Sequence, residues 1–294
     1  MKYGLPYKGS KNAIAQKIVD ALPNGKSFCD ACCGGGAILM ASALSGKYER
    51  VTGYDINEAI IGLIRATMID FGTIDYEHDL PRVDRKAFFE ARNRSAGISD
   101  WLVRYCYSFG NDGQTFLWSD QTHEGFRLLE DAIREETLDI RVHAIQELSK
   151  RNDAMELMSR VEPLVRLRRI KKVEQTMRDS KTATRIDAGV KSMFDVDYDQ
   201  FDVIYFDPPY KNTKGYFKVK FDFGAFAKLI SELRDKGKRV FVSEYSQPAD
   251  GFACVAEFSK QVLINKTRNT AGVECLYFGG TLEEYQELYL SSFR

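Results

Sequence analysis

The sequence predicts an α/β fold, a largely parallel sheet covered by helices and interrupted by a mostly helical insertion. Three observations carry this expectation. Residues 1–70 alternate short apolar runs with helix-period segments, the same alternation resumes after residue 184, and residues 71–184 between them are charged, aromatic and helical in pattern. The chain therefore divides, on its pattern, into a domain made of 1–70 and 185–294 and an inserted region, 71–184.

Taken in order, Ser10 can cap a helix whose apolar positions Ala13, Ile14, Ile18, Ala21 and Leu22 recur at helical spacing, and Pro23-Asn24-Gly25 ends it. Ser27 to Cys32 reads as a strand and Gly34-Gly35-Gly36 as a turn. A helix follows over Ala37 to Leu44, and a second strand over Val51 to Tyr54. Asn57 can cap the next helix, Glu58 to Ile69. After the insertion, Gly189 to Phe194 and Phe201 to Phe206 read as strands, Phe223 to Arg234 as a helix, and Arg239 to Ser243 as a strand. Gln261 to Lys266 and Val273 to Phe278 form the expected late hairpin, turning at Thr270-Ala271-Gly272.

Composition excludes several classes of protein. Forty-two Lys and Arg balance forty-two Asp and Glu, so a polyanion partner would need a local basic patch. The longest apolar runs, such as Val203 to Phe206, fall far short of the roughly 18 residues of a membrane span. The start, Met1-Lys2-Tyr3-Gly4-Leu5-Pro6, has no apolar signal region, and the expected compartment is the cytoplasm. Cys29 and Cys32 form a C-x-x-C pair beside Cys33, but no second pair follows and His78, His123 and His143 lack ligand spacing. No metal is expected, and these cysteines read as small buried residues flanking a glycine turn.

Three segments carry chemistry. The loop Gly34-Gly35-Gly36, between the strand Ser27 to Cys32 and a helix, lets a ligand approach the backbone and offers it free N–H groups. Asp55, at the end of the next strand, can accept hydrogen bonds from ribose hydroxyls or cap the following helix. Asp207-Pro208-Pro209-Tyr210 follows a buried strand. Its prolines make a rigid elbow without backbone donors, so the Asp207 carboxylate and the Pro208 carbonyl can present acceptors to an exocyclic amino group while Tyr210 stacks on a planar base.

With these residues the chain resembles the alpha-group, Dam-like DNA adenine-N6 methyltransferases of bacteria and their phages, over most of its length and in order. The resemblance implies a Rossmann-like sheet binding S-adenosylmethionine (SAM), with the insertion as target-recognition region. Pro6-Tyr7-Lys8-Gly9-Ser10-Lys11 is similar to the N-terminal motif, implying that Tyr7 and Lys11 contact the cofactor. Phe28 to Ala37 is similar to the methionine-moiety loop and implies Asp30 near the ammonium group, with Gly34, Gly35 and Gly36. Tyr54-Asp55-Ile56-Asn57 implies Asp55 and Ile56 at the ribose, and Ser192-Met193-Phe194-Asp195 implies Phe194 at the cofactor adenine. Asp207, Pro208, Pro209 and Tyr210 are the implied catalytic residues, Asp207 also meeting the cofactor. Arg239 to Ser243 and Asn269 to Tyr277 resemble the later strand motifs. The chain departs from the family at Asp30-Ala31-Cys32, where Glu-Pro-Phe or Asp-Pro-Phe is usual.

The implied partner is double-stranded DNA, with the target base flipped out of the helix. Whether a restriction nuclease shares the target site is left open by the sequence. Ser108 to Gly113 resembles a DNA-facing aromatic-Asn-Gly segment, and Tyr107, Phe109 and Asn111 are candidate DNA contacts, with Tyr105 and Trp118 as further candidates for wedges. Arg166, Arg168, Arg169, Lys171 and Lys172, following Arg160, are candidates for phosphate contacts. Leu164, Leu167, Ile170 and Val173 between them equally fit a helix packing its apolar stripe inward. The alternatives are methylation of cytosine N4 or of RNA, and a non-catalytic DNA-binding protein with the same fold.

Overall fold

The computed structural model describes residues 1–81, 83–117, 162–210, 221–263 and 269–292, and of 259–263 and 269–272 the backbone alone. Two compact units emerge: residues 1–3, 11–56 and 182–294 form one, and residues 4–10 and 57–181 the other.

The first unit is built on a sheet of seven strands: β1 (Ser27–Asp30), β2 (Arg50–Asp55), β3 (Arg185–Val190), β4 (Val203–Phe206), β5 (Arg239–Glu244), β6 (Phe252–Leu263) and β7 (Asn269–Gly279). Their order is β3-β2-β1-β4-β5-β7-β6. The first five are parallel, and β7 is antiparallel to both β5 and β6. Parallel strands covered on both faces need continuous apolar runs, and all four residues of β4, Val203-Ile204-Tyr205-Phe206, are buried. Between β1 and β4 the order reverses. Such a switch point leaves a crevice beyond the carboxyl ends of the strands.

Helices α1 (Ala15–Ala21) and α2 (Ala37–Leu44) follow the expected periodicity. The first starts at Ala15 rather than at a Ser10 cap, because Lys11 to Ile14 forms a turn in which the Ile14 N–H donates to the Lys11 carbonyl at 2.9 Å. The second starts on Gly36, whose φ of +71° lies in the left-handed region that a side chain would oppose.

Two expectations for this unit are corrected, and one element was not expected. The strand expected at Gly189 to Phe194 is β3, four residues earlier, and Met193–Asp195 is a 3-10 turn. As the edge strand β3 is largely exposed, so it lacks the apolar run that marks the buried strands. Thr270-Ala271-Gly272 is not a turn but part of β7, pairing with Val262, Gln261 and Lys260; the connection falls in 264–268, outside the described residues. A helix with no counterpart among the expected elements, Leu282–Ser291, closes the chain, started by a capping box between Thr281 and Glu284.

The second unit holds four described α-helices, α3 (Glu58–Met68), α4 (Arg85–Arg94), α5 (Ile98–Cys106) and α6 (Glu162–Ser180). With the C-terminal pair of the first unit, α7 (Phe223–Asp235) and α8 (Leu282–Ser291), these complete the described α-helices. Asn57 precedes α3 in extended conformation, but its side chain does not cap the helix; its amide donates to the Tyr105 hydroxyl at 2.7 Å. Gly62 allows α3 to lie against α5, since a Cβ there would stand 2.0 Å from the Trp101 ring. The α6 stripe Leu164, Leu167, Ile170, Val173 and Met177 is buried, which is the inward-packing pattern expected of an amphipathic helix. Among the described residues, no helix is long and apolar enough to cross a membrane.

Candidate active site

Four of the five parallel strands deliver a carboxylate to the carboxyl edge of the sheet. Asp30 ends β1, Asp55 ends β2, Asp207 directly follows β4, and Glu244 ends β5. Since Asp30 pairs with Tyr205 in the parallel ladder, Asp30 and Asp207 leave neighbouring strands almost level.

Asp30 is 1% exposed, and neither carboxylate oxygen makes a well-formed hydrogen bond. Burial pushes its carboxyl well above the ordinary range; the Asp207 and Asp55 charges add to this, while the Cys32 and Leu39 N–H groups offset part of it. A buried carboxylate so placed is poised for a cationic ligand group. Asp55 works differently, its Oδ2 accepting the Gly34 N–H at 3.0 Å and so fixing the glycine loop. Ile56 and Phe194, which follow β2 and β3, are 63% and 44% exposed, large apolar side chains at the same edge of the sheet. The donor set therefore suits a ligand carrying an ammonium, a ribose and a flat ring, which SAM combines.

Asp207 stands at the centre of a closed cluster. Lys11 Nζ donates to its Oδ1 at 2.7 Å, and the Tyr210 hydroxyl lies 3.0 Å from the same oxygen. Both of these bonds reach Oδ1. Lys11 is 5% exposed; burial works against its charge, but the Asp207 and Glu274 carboxylates outweigh it and hold the ammonium above the usual lysine range. Burial, with the Asp207 and Glu274 charges, likewise pushes the Tyr210 hydroxyl far up, so it stays a proton donor. The Tyr210 ring meets Tyr245 edge-on, with centroids 4.7 Å apart. Pro208 is buried and Pro209 half-buried.

Glu274 and Tyr245 were not among the expected site residues. A lone acidic residue inside the apolar run Val273-Glu274-Cys275-Leu276 was the available signal, because an unpaired charge there would be costly.

The remaining expected residues lie in the second unit. Tyr7 packs tilted on Tyr105 at 5.9 Å, and the Lys8 N–H donates to the Asn111 carbonyl. Phe109 is 65% exposed at a loop tip where Gly110 and Asn111 both take left-handed conformations. Three expected DNA contacts are corrected. Tyr105 and Tyr107 are fully buried, and Arg166 is buried with its guanidinium donating to the carbonyls of Tyr105, Cys106 and Ser108 and pairing with Glu162. Of the rest of the basic run, Lys172 is exposed, Arg168 and Arg169 are half-buried, and Lys171 lies 5.9 Å over the Tyr76 ring. Trp118 and Arg160 lie outside the described residues.

The C-x-x-C thiols are pushed well above their ordinary range by burial, as small core residues would be. Cys254, Glu257 and Cys275 offer one ligand atom each within 4.8 Å of one another, one short of a closed tetrahedral zinc site.

Residues 7–247 match the family described as D12 class N6 adenine-specific DNA methyltransferase. No curated protein matches the chain. Among solved structures, the rRNA methyltransferase aviRa from Streptomyces viridochromogenes aligns at 14% identity, covering 92% of this chain and 84% of its own, with a TM-score of 0.37. The putative methylase HI0767 from Haemophilus influenzae aligns at 10% identity, covering 94% and 92%, with a TM-score of 0.36.

Proposed function

Because the chain belongs to the D12 class N6 adenine-specific DNA methyltransferases, we propose that Asp207, Pro208 and Tyr210 carry the methyl transfer that this family performs. The enzyme transfers a methyl group from SAM to the N6 amino group of adenine in DNA. The observation that carries the residue assignment is the Asp207 carboxylate at the switch point of the sheet, its Oδ1 held by Lys11 and Tyr210.

When bound, SAM supplies an electrophilic sulfonium methyl. Asp30 would hold its ammonium, Gly34 to Gly36 would pass its methionyl group, Asp55 would take the ribose hydroxyls, and Ile56 and Phe194 would flank its ring. The chain's own work is on the acceptor. An adenine amino lone pair is delocalised into the ring, and nitrogen attacks only when that pair is localised. Asp207 Oδ2 and the Pro208 carbonyl accept the two N–H bonds, orient the lone pair, and stabilise the positive charge that develops on nitrogen. Tyr210, its hydroxyl fixed, offers its ring to the base. After transfer, the proton leaves the cationic nitrogen toward the acceptors that already hold it.

The base must leave the duplex, at a cost of a few kcal/mol of stacking and pairing. We assign the recognition of duplex DNA to the inserted region, with Phe109 and Asn111 on the loop tip and Arg168, Arg169, Lys171 and Lys172 on α6. No step calls on a metal ion, and the reaction is placed in the cytoplasm. The test is transfer of tritiated methyl from SAM to unmethylated duplex DNA, with mass spectrometry of the digested nucleosides. N6-methyladenine formed by the wild type and absent with Asp207→Ala is the expected result; an active Asp207→Ala would remove the assignment.

A further inference from the structure

Glu274 is 0% exposed, and the topology explains why it nevertheless reaches the site. Strand β7 runs antiparallel to β5 with Cys275 opposite Glu244, so Glu274 stands one residue beyond the end of β5, above the edge that bears Asp30, Asp55 and Asp207. Its Oε1 lies 3.3 Å from Lys11 Nζ and 3.0 Å from the Tyr210 hydroxyl. These two groups are also the ones that hold Asp207 Oδ1. Its Oε2 is buried and has no hydrogen-bond partner among the described residues.

One ammonium is divided between two carboxylates, so Lys11, Asp207 and Glu274 together carry a net charge of minus one. Tyr210 has one proton and two anionic acceptors at equal distance, so Glu274 competes with Asp207 for it. A cluster of Lys11 and Asp207 alone would be neutral, with both donors committed to the carboxylate that has to favour a cation. Buried ionic groups without an adequate counter-charge are costly, and an acidic residue kept here is the kind of perturbed arrangement that marks functional sites.

We propose that Glu274 is a positioning residue for methyl transfer: by sharing Lys11 and the Tyr210 hydroxyl, it prevents full neutralisation of Asp207 and keeps negative charge available to the amino nitrogen as that nitrogen becomes cationic. This rests on the assignment of Asp207 as the acceptor for the amino group. Glu274 touches neither substrate nor cofactor in this scheme. It acts through Lys11 and Tyr210.

The test is the single-turnover methyl-transfer rate of full-length Glu274→Gln, measured from pH 5 to 9 at saturating SAM and DNA, with SAM affinity measured separately. The expected result is a rate about 10- to 100-fold lower, the effect of one unit charge a few ångströms from a developing cation at intermediate dielectric, with SAM affinity unchanged. Glu274→Asp should recover most of the rate. A rate within twofold of wild type, or a loss of rate that Glu274→Asp does not recover, overturns the proposal. Should Glu274→Gln not fold, Glu274→Asp carries the test, with a smaller loss of rate expected and a rate equal to wild type overturning it. Asp207→Asn measured in parallel separates the two readings. An active Asp207→Asn removes the underlying assignment, whereas an inactive one beside a normal Glu274→Gln removes only the role of Glu274.

Discussion

Lys11 Nζ stands 2.7 Å from Asp207 Oδ1, which joins a residue just before the first helix of the chain to the elbow that follows β4. The ion pair is buried at its ammonium end, so its removal leaves two carboxylates, Asp207 and Glu274, near each other without a counter-charge. Lys11→Met is expected to lower stability by about 3–5 kcal/mol, the usual cost of breaking a buried pair, and to abolish methyl transfer at neutral pH. Urea denaturation followed by circular dichroism checks the first expectation, and the tritium assay the second.

The same cluster sets an alkaline limit. Lys11, Tyr205 and Tyr210 all have their folded-state pKa raised, Lys11 by its carboxylate partners against burial and the tyrosines mainly by burial. A raised pKa means that the folded chain binds more protons than the unfolded chain above the unfolded value. Stability from these groups is thus fully present below about pH 10 and falls as pH rises through the folded values. Thermal melts between pH 8 and 11 should show this decline, and Tyr210→Phe should make it shallower.

Asp30 gives a prediction of the same sign in a lower pH range. Its burial with unsatisfied oxygens destabilises the ligand-free protein at neutral pH, where an exposed carboxylate would be ionised. Here too the folded pKa is raised, so the fold loses stability as pH climbs from about 4 through the folded value. Asp30→Asn should therefore stabilise the ligand-free protein at pH 7 by about 1–3 kcal/mol and weaken SAM binding. Binding that ionises Asp30 releases a proton, and SAM affinity of the wild type should rise with pH. Calorimetry in buffers of different ionisation enthalpy reads the released proton directly.

Much of this site was legible in the sequence, for identifiable reasons. Gly34-Gly35-Gly36 punctuates the chain so sharply that α2 begins where expected, at Ala37, and the continuous apolar run of β4 points straight to Asp207. What was hidden depends on long-range contact. Strand β3 lies at an edge and carries no apolar run, while Thr270-Ala271-Gly272 has turn composition but is held extended by β6. In sequence Arg166 is indistinguishable from its basic neighbours; in the fold three backbone carbonyls of the 105–108 segment claim its guanidinium. Glu274 lies more than sixty residues from its partner Tyr210, and only the antiparallel register of β7 brings them together.

In the second unit, Gly62 is fixed by close approach rather than by backbone conformation. A methyl group there would overlap the Trp101 ring, with its nearest atom at 2.0 Å. Gly62→Ala should be destabilising by about 1–3 kcal/mol through overpacking, even though alanine is the better helix former. Gly62→Ala combined with Trp101→Leu should recover part of the loss, and equilibrium denaturation of the four proteins measures the coupling.

The basic run of α6 divides by burial into residues with different expected effects. Lys172 is exposed and Arg168 lies one turn before it on the same face, whereas Arg166 is buried among carbonyl groups. Replacing Arg168 and Lys172 by alanine should leave stability within about 0.5 kcal/mol. It should flatten the slope of log affinity for duplex DNA against log salt by about one unit for each phosphate no longer neutralised. Arg166→Ala should do the reverse: it strips three carbonyls of a charged donor, lowering stability by about 1–3 kcal/mol while leaving the salt slope of the folded fraction unchanged. Fluorescence anisotropy with labelled duplex at four salt concentrations, alongside denaturation, separates the two. A slope that stayed at the wild-type value after replacement of both Arg168 and Lys172 would show that this face of α6 does not follow the phosphate backbone.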